Sequence, residues 1–307
     1  MMSSYSPASA LHDEEGFVHA QIDHRRTAGE NFREEVWLAL HRAQRDRSAA
    51  PGRSDSRTTH DSVYLEKGLL PQLVLKDDAF TSASHYAPSR ANAWLSGDFY
   101  DLVQSDDGTV HVVLGDVSGH GAAEAALAVH LRLAWRTAVL CGQTHTQRLQ
   151  LLERVLVGER PHEEIYATVV SLIFPPNGRS VRVLNAGHPG MLHRHAAGIR
   201  WVEHRPGLAL GLFPGQADWA ETQLALARQD SVVLFTDGLY EGRTAHGRLG
   251  LEGLMRLAKR YTRLPAQHFV DALVRDASAL AQPGGGLADD VAVLHLGWNR
   301  TRDAAAG

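Results

Sequence analysis

VVLGDVSGHG, residues 112–121, runs directly into GAAEAALAVHLRLAWRTAVLC, residues 121–141, and this junction decides the fold. The apolar run Val110–Leu114 reads as a buried strand, with Asp116 just past its end. Gly115 and Gly119 bracket that acid and let the backbone turn tightly and approach a ligand. Residues 121–141 hold no proline and no internal glycine and are rich in Ala and Leu, so a helix starts at once. Its first N–H groups lack partners and favour an anion such as phosphate near the turn.

Working outward, the sequence predicts strands at Tyr166–Phe174, Ser180–Leu184, Met191–Arg194 and Ile199–Glu203, with PPNG (175–178) and AAG (196–198) as hairpin turns. Ser231–Phe235 and Val291–Leu296 are further buried strands. Leu264–Ala281 is a helix with Phe269, Leu273, Ala277 and Leu280 on one face, and GGG at 284–286 is a loop. SVYLEKGLLPQL (62–73) predicts a helix ended by Pro71. Strands grouped in hairpins, with helices grouped elsewhere, indicate an α+β class rather than alternating βαβ units.

Residues 1–60 differ in character. A polar opening, MMSSYSPASALHDEE, precedes ENFREEVWLALHRAQR (30–45), where Phe32, Val36, Leu40 and Ala43 recur at helical spacing. SAAPGRSDSRTTH (48–60) has the composition of a linker. The expected layout is an N-terminal segment at 1–60, one domain at 61–299 and a tail at 300–307. The N-terminal helix is suited to packing on that domain or to pairing with another chain in a homodimer, and equally to having no role.

Composition narrows the classes. The 307 residues are 44% hydrophobic and 21% charged, with a net charge of -4. This is a soluble balance without the basic field that nucleic-acid binding needs. Cys141 is the single cysteine. It excludes an internal disulfide and a cysteine-built zinc site, and it reads as a buried structural thiol in a reducing compartment. No apolar run spans a membrane and no secretory leader is evident, so a cytoplasmic protein is expected.

Acids recur where apolar runs meet glycines: Asp98 and Asp101 in SGDFYD, Asp116, Asp237 in VVLFTDGL, and Asp289 and Asp290 in LADDVAVLHL. A lone Asp-Gly after a strand is ordinarily a turn, and a lone Asp before a helix an N-cap. Four such sites in one domain favour a shared centre instead. Carboxylates gathered at strand ends need positive charge to stay ionised, and hard divalent cations supply it.

GDFYD, GDVSGHG, NAGHPG, PGLALGL, FTDGLYE and the final ADD, in that order, resemble the motif series of the PPM-type metal-dependent Ser/Thr phosphatases. They are most similar to its SpoIIE/stress-response branch. LLPQL and ASHYAPSRANAWLSGDFYD fit that branch as well, so the likeness runs from about Leu69 to Trp298. It implies an αββα sandwich of two antiparallel sheets flanked by helices, with two Mn²⁺ or Mg²⁺ ions at one end. Asp98 and Asp116 become bridging or direct ligands, the Val117 carbonyl faces the second metal, and Asp237 and Asp289 serve the other metal. Asp290 ranks second to Asp289, and Asp101 packs locally or orients water.

The chemistry the resemblance implies is in-line attack on phosphorus by a metal-activated water, without a covalent phosphoenzyme. His120 and His188 are the candidates for protonating the leaving oxygen. His188 in NAGHPG also reads as a structural histidine of a tight turn, the preferred reading. The implied substrate is a phosphorylated anti-sigma-factor antagonist, a small STAS-domain protein in a partner-switching pathway. The helix after Asp116 offers a route of control, since moving it moves Asp116. A phosphatase-like domain that binds a regulatory partner without turnover is the alternative.

The sequence departs from the branch at Ser96, where many relatives have glycine, and at Pro189-Gly190, where relatives have Pro-Pro. It also lacks an obvious basic phosphate clamp; Arg90 stands nearest and reads as a solvated side chain. Cys141 has no arginine six positions on, which excludes a cysteine phosphatase, and no P-loop motif is present. His193 and His195 read as surface imidazoles.

Overall fold

The computed structural model describes residues 69–299 apart from Val74, residues 88–95, His246, Gly285 and Ala288. The chain divides into Met1–Val63 and Tyr64–Gly307, and the second unit is described here. The expected helix at 30–45, the linker at 48–60, the tail at 300–307 and Arg90 lie outside the described residues, as does most of the helix expected before Pro71.

In chain order the elements are β1 (Phe80–Ala87), β2 (Asp98–Gln104), β3 (Val110–Val117), α1 (Ala122–Leu140), α2 (His145–Glu159), β4 (Ala167–Phe174), β5 (Ser180–Ala186), β6 (Met191–His195) and β7 (Gly198–Val202). Then follow β8 (Thr222–Ala225), β9 (Ser231–Phe235), the single turn α3 (Gly238–Glu241), the short β10 (Arg243–Thr244) and β11 (Gly247–Arg248), α4 (Gly250–Arg260), α5 (Ala266–Ala281) and β12 (Val291–Trp298). One five-stranded sheet has the order β2-β3-β4-β5-β8, and the other β1-β12-β9-β6-β7. Neighbours within each are antiparallel.

The central strands are largely apolar because both faces are covered. Val113 and Val117 of β3, with Phe99 and Val103 of β2, join Leu131 and Trp135 of α1 and Leu149 and Leu152 of α2. The alternate residues Val112 and Leu114, with Tyr100 and Leu102, meet Val232 and Leu234 of β9 and Leu294 and Leu296 of β12 between the sheets. On the far side Val233, Phe235, Val291 and Val293 pack under Leu254 and Ala258 of α4 and Phe269 and Leu273 of α5. The two-residue period of each strand thus sends its side chains to two different layers. Each large side chain so buried contributes roughly 1.5–3 kcal/mol. The result is the expected αββα sandwich.

Local signals set the element ends. Helix α1 stops in a Schellman motif: Gly142, at φ 70°, donates to the Val139 carbonyl and Gln143 to that of Ala138. Cys141 caps that end and is exposed, contrary to the buried thiol expected. The helix has ended there, so the side chain has no apolar layer to enter. Helix α2 opens on a capping box, in which the Thr144 side chain accepts from the Gln147 N–H and the Gln147 side chain from the Thr144 N–H.

Candidate metal centre

Both sheets deliver acids to the same end of the sandwich. Asp98 opens β2 and Asp116 lies near the end of β3, and the two are register partners. Gly115 beside them is required, because a Cβ there would sit 2.5 Å from the Phe99 ring and 2.8 Å from the Thr168 carbonyl oxygen. From the other sheet, Asp237 follows β9 and Asp289 and Asp290 precede β12. Gly238 lets these two chain ends close up, since any Cβ on it would run into the Asp290 carbonyl.

Gathered at one end, these acids are acted on by burial and by one another's charge. Burial, then the Asp116 charge, pushes the Asp98 carboxyl well above its ordinary range, with Asp290 and Asp237 adding to the shift. Asp116 is pushed up to about 8 by burial and then by Asp237, Asp289 and Asp290. Asp237 is raised by burial, Glu241 and Asp289, and Asp289 by burial, Asp290 and Glu241. Asp98 and Asp290 are buried, Asp116 and Asp237 half-buried, and Asp289 exposed at the rim. Like charges this close hold protons unless a cation replaces them.

The donors also fit a cation chemically. They are carboxylates, with the Val117 carbonyl close by: a Cβ on Gly97 would stand 2.5 Å from that oxygen and 3.4 Å from Asp116 Oδ1. An all-oxygen set suits Mg²⁺ or Mn²⁺ rather than a thiophilic metal. Among the described residues, however, no three His, Cys, Asp or Glu side chains already form a closed metal cage. The acids share one field without forming a tight cluster.

Asp101, quoted with Asp98 in one motif, belongs elsewhere. Three residues apart on a strand, the two side chains leave opposite faces. Asp101 is wholly buried against α1, where Arg136 Nε donates to its Oδ2 at 2.8 Å and Arg132 lies at 3.5 Å. Arg136 also donates to the Gln72 carbonyl at 2.9 Å, tying the segment before β1 to this pair.

The histidines separate as well. His120 is exposed in the turn before α1, and its charge favours the ionised form of Asp289. His188 is buried, and its pKa is pushed down to about 3 by that burial, with only the Phe235 backbone opposing. Neither of its ring nitrogens has a hydrogen bond of good geometry. Its main chain is clasped by Asn185, whose Nδ2 donates to the His188 carbonyl and whose Oδ1 accepts its N–H, both at 2.8 Å. His193 is not a surface imidazole. It is buried because β6 lies between β9 and β7, and it donates from Nε2 to Asp230 at 2.8 Å while Nδ1 accepts from Arg200 at 3.1 Å.

Two groups near the acids, Thr236 and Glu241, went unread in the sequence, and Ser96 was read only as a departure from glycine. Thr236 Oγ1 donates to Asp98 Oδ2 at 2.7 Å. Glu241 lies four residues past Asp237, one helical turn on, a spacing that flags it. The Ser96 hydroxyl lies 2.7 Å from the Tyr86 hydroxyl and accepts from the Asp98 N–H at 3.3 Å, so the glycine-to-serine departure gives the start of β2 an added anchor.

The family model described as Stage II sporulation protein E (SpoIIE) matches residues 106–299, more than half of the chain. The chain belongs to the SpoIIE family. The matched span holds Asp116, Asp237, Asp289 and Asp290, and Asp98 precedes it. This SpoIIE-family chain is 25% identical over 210 residues to the phosphoserine phosphatase RsbU of Bacillus subtilis (strain 168), covering 68% of this chain and 61% of that protein. It is 23% identical over 180 residues to the phosphoserine phosphatase RsbP of the same organism, covering 58% of this chain and 43% of that protein. It therefore spans less than two thirds of the length of either. The PP2C phosphatase domain of SpoIIE from Bacillus subtilis, solved with a fragment of its regulatory domain, shares the fold at a TM-score of 0.60 and 18% identity, over 73% of this chain and 64% of that one. RsbX, crystallised in complex with magnesium, matches at a TM-score of 0.54 and 11% identity, over 73% and 98%. Family and fold are those of the SpoIIE/stress-response branch of the PPM-type phosphatases, as the motifs implied.

Proposed function

We propose that this SpoIIE-family chain is a metal-dependent phosphoserine/phosphothreonine protein phosphatase. Its proposed substrate is a phosphorylated STAS-domain anti-sigma-factor antagonist. One observation carries the reading: acids from both sheets meet at a single end of the sandwich, with Asp98 opposite Asp116 and bonded to Thr236, and the Asp237 turn packed on Asp290. The names of RsbU and RsbP supply the phosphoserine chemistry, and the magnesium complex of RsbX supports the cation.

Asp98, Asp116, Asp237, Asp289, Asp290 and the Val117 carbonyl would hold two divalent ions, Mn²⁺ or Mg²⁺. Bound there, the ions supply an activated water and neutralise the phosphoryl oxygens. The residues of the chain do the rest. Thr236 and the strand pairing fix Asp98 opposite Asp116. His120, exposed and near enough to Asp289 to act on its ionisation, is the group proposed to protonate a departing seryl oxygen. The turn after β5 is held by the Asn185 side chain on the main chain of His188, whose ring is buried.

That no three His, Cys, Asp or Glu side chains among the described residues are already gathered as a metal cage is what favours the second reading, a phosphatase-like binding module without turnover. Phosphate release from a serine-phosphorylated STAS-domain protein, with and without Mn²⁺, separates the two. Wild type releases phosphate only with the ion, and Asp237→Asn is slower by on the order of a hundredfold or more. Equal rates for both proteins would rule out the metal mechanism, and no release from either would favour the binding module. The division at 1–60, 61–299 and 300–307 and a homodimer belong to the same proposal. Among the described residues no helix is long and apolar enough to cross a membrane.

A further inference from the structure

We propose that Thr236 is a positioning residue for the candidate metal centre, a hydroxyl that spans the two sheets and presents Asp98 as an oxygen donor. The inference rests on the metal-centre reading and goes beyond it by assigning a group that supports one of its ligands.

The bond directions follow from the ladder. Antiparallel pairing of β9 with β12 reaches Phe235 and Val293, and one step beyond it the Thr236 N–H donates to the Ala292 carbonyl at 3.0 Å. A regular rung would return the Ala292 N–H to the Thr236 carbonyl. That carbonyl is diverted: it accepts from the Leu239 N–H at 3.3 Å and closes the turn that carries Asp237 and Gly238. The Thr236 hydroxyl takes its place and accepts the Ala292 N–H at 2.9 Å.

The hydroxyl has one proton left to give. The Ala292 carbonyl stands at 3.5 Å and already holds the Thr236 N–H, whereas Asp98 Oδ2 stands at 2.7 Å. The proton goes to Asp98. One lone pair of Oδ2 is then taken, which fixes the rotation of the carboxyl and with it the direction in which its remaining lone pairs face a cation. Thr236 is 1% exposed, so water cannot replace the bond. Asp98 belongs to the first sheet, and Thr236 and Ala292 to the strand ends of the second. One hydroxyl therefore ties the position of a proposed ligand to the spacing of the sheets.

The test compares Thr236→Val, which keeps the shape without the hydroxyl, with Thr236→Ser, which keeps the hydroxyl. Mn²⁺ binding to the full chain is measured by titration calorimetry, with the thermal midpoint in EDTA as a check on folding. The expected result is a Mn²⁺ affinity about tenfold or more weaker in Thr236→Val, and within about threefold of wild type in Thr236→Ser. Equal affinity in Thr236→Val and wild type overturns the inference and leaves the metal reading intact. Equal weakening in both variants overturns it too, because the hydroxyl would then not matter. Absence of saturable Mn²⁺ binding in wild type overturns the metal reading and the inference with it. Should Thr236→Val fail to fold, Thr236→Cys, a far weaker donor of similar size, takes its place under the same criteria.

Discussion

Gly238 and Asp290 meet backbone to backbone, with no room for a side chain on the glycine. This contact sets the distance between the end of β9 and the start of β12, and so between Asp237 and the Asp289–Asp290 pair. Gly238→Ala must push the two chain ends apart. We expect it to cost about 1–3 kcal/mol of stability, in the range of other overpacked sites, and to weaken Mn²⁺ binding in the protein that still folds. Urea denaturation and ion titration of the same variant check both parts. Wild-type values for both would contradict the close contact.

Asp101 tests whether the acids divide as described. It is wholly buried and bonded to Arg136, with Arg132 beside it. Removing one partner of a buried pair leaves the other charge uncompensated, at a cost of about 3–5 kcal/mol. Asp101→Asn should lower the denaturation midpoint while the folded fraction keeps its Mn²⁺ affinity. Asp98→Asn should do the reverse. If Asp101→Asn abolished ion binding in folded protein, the assignment of Asp101 to the α1 side would fail.

The pH dependence of the metal-free protein follows from the raised carboxyls. Burial and the neighbouring acids push Asp116 up to about 8 in the fold, with Asp98, Asp237 and Asp289 also raised. An ordinary carboxyl in the unfolded chain titrates near 4. Between those values the folded protein holds protons that the unfolded chain has lost, so this contribution is full below about pH 4 and is lost as pH rises through about 8. In EDTA the thermal midpoint should be higher at about pH 5 than at about pH 8.5, and Asp116→Asn should flatten the difference. A midpoint that climbs over that interval would show that the acids do not face one another.

Much of this architecture is legible in the residues, for a definite reason. The VVL of β3 and the VVLF of β9 are buried on both faces and read as apolar runs, and PPNG and AAG mark their own hairpins. β1 is an edge strand in which Ser82 and Ser84 interrupt the apolar pattern, so FTSASHYA carries no such run. Helix α2 lay behind a readable signal, the Thr144–Gln147 capping box, that periodicity alone passes over. The acids were found because carboxylates beside glycines stand out. Thr236 was not, because a threonine at a strand end is unremarkable until the chain brings Asp98 to it from 138 positions away. Asp101 stands beside Asp98 in one motif, and its reading as a locally packed side chain agrees with the alternation of the strand, which turns it to α1.

The acidic end draws Asp98 and Asp116 from one sheet and Asp237, Asp289 and Asp290 from the other. Without counter-charge, this seam pushes the halves of the sandwich apart, whereas an ion seated in it would act as a removable rivet. Resistance to heat should then become a readout of free manganese, rising by about 2.7 kcal/mol at a hundred times the dissociation constant. Chelation followed by replenishment should carry the melting temperature down and back up, with no substrate present.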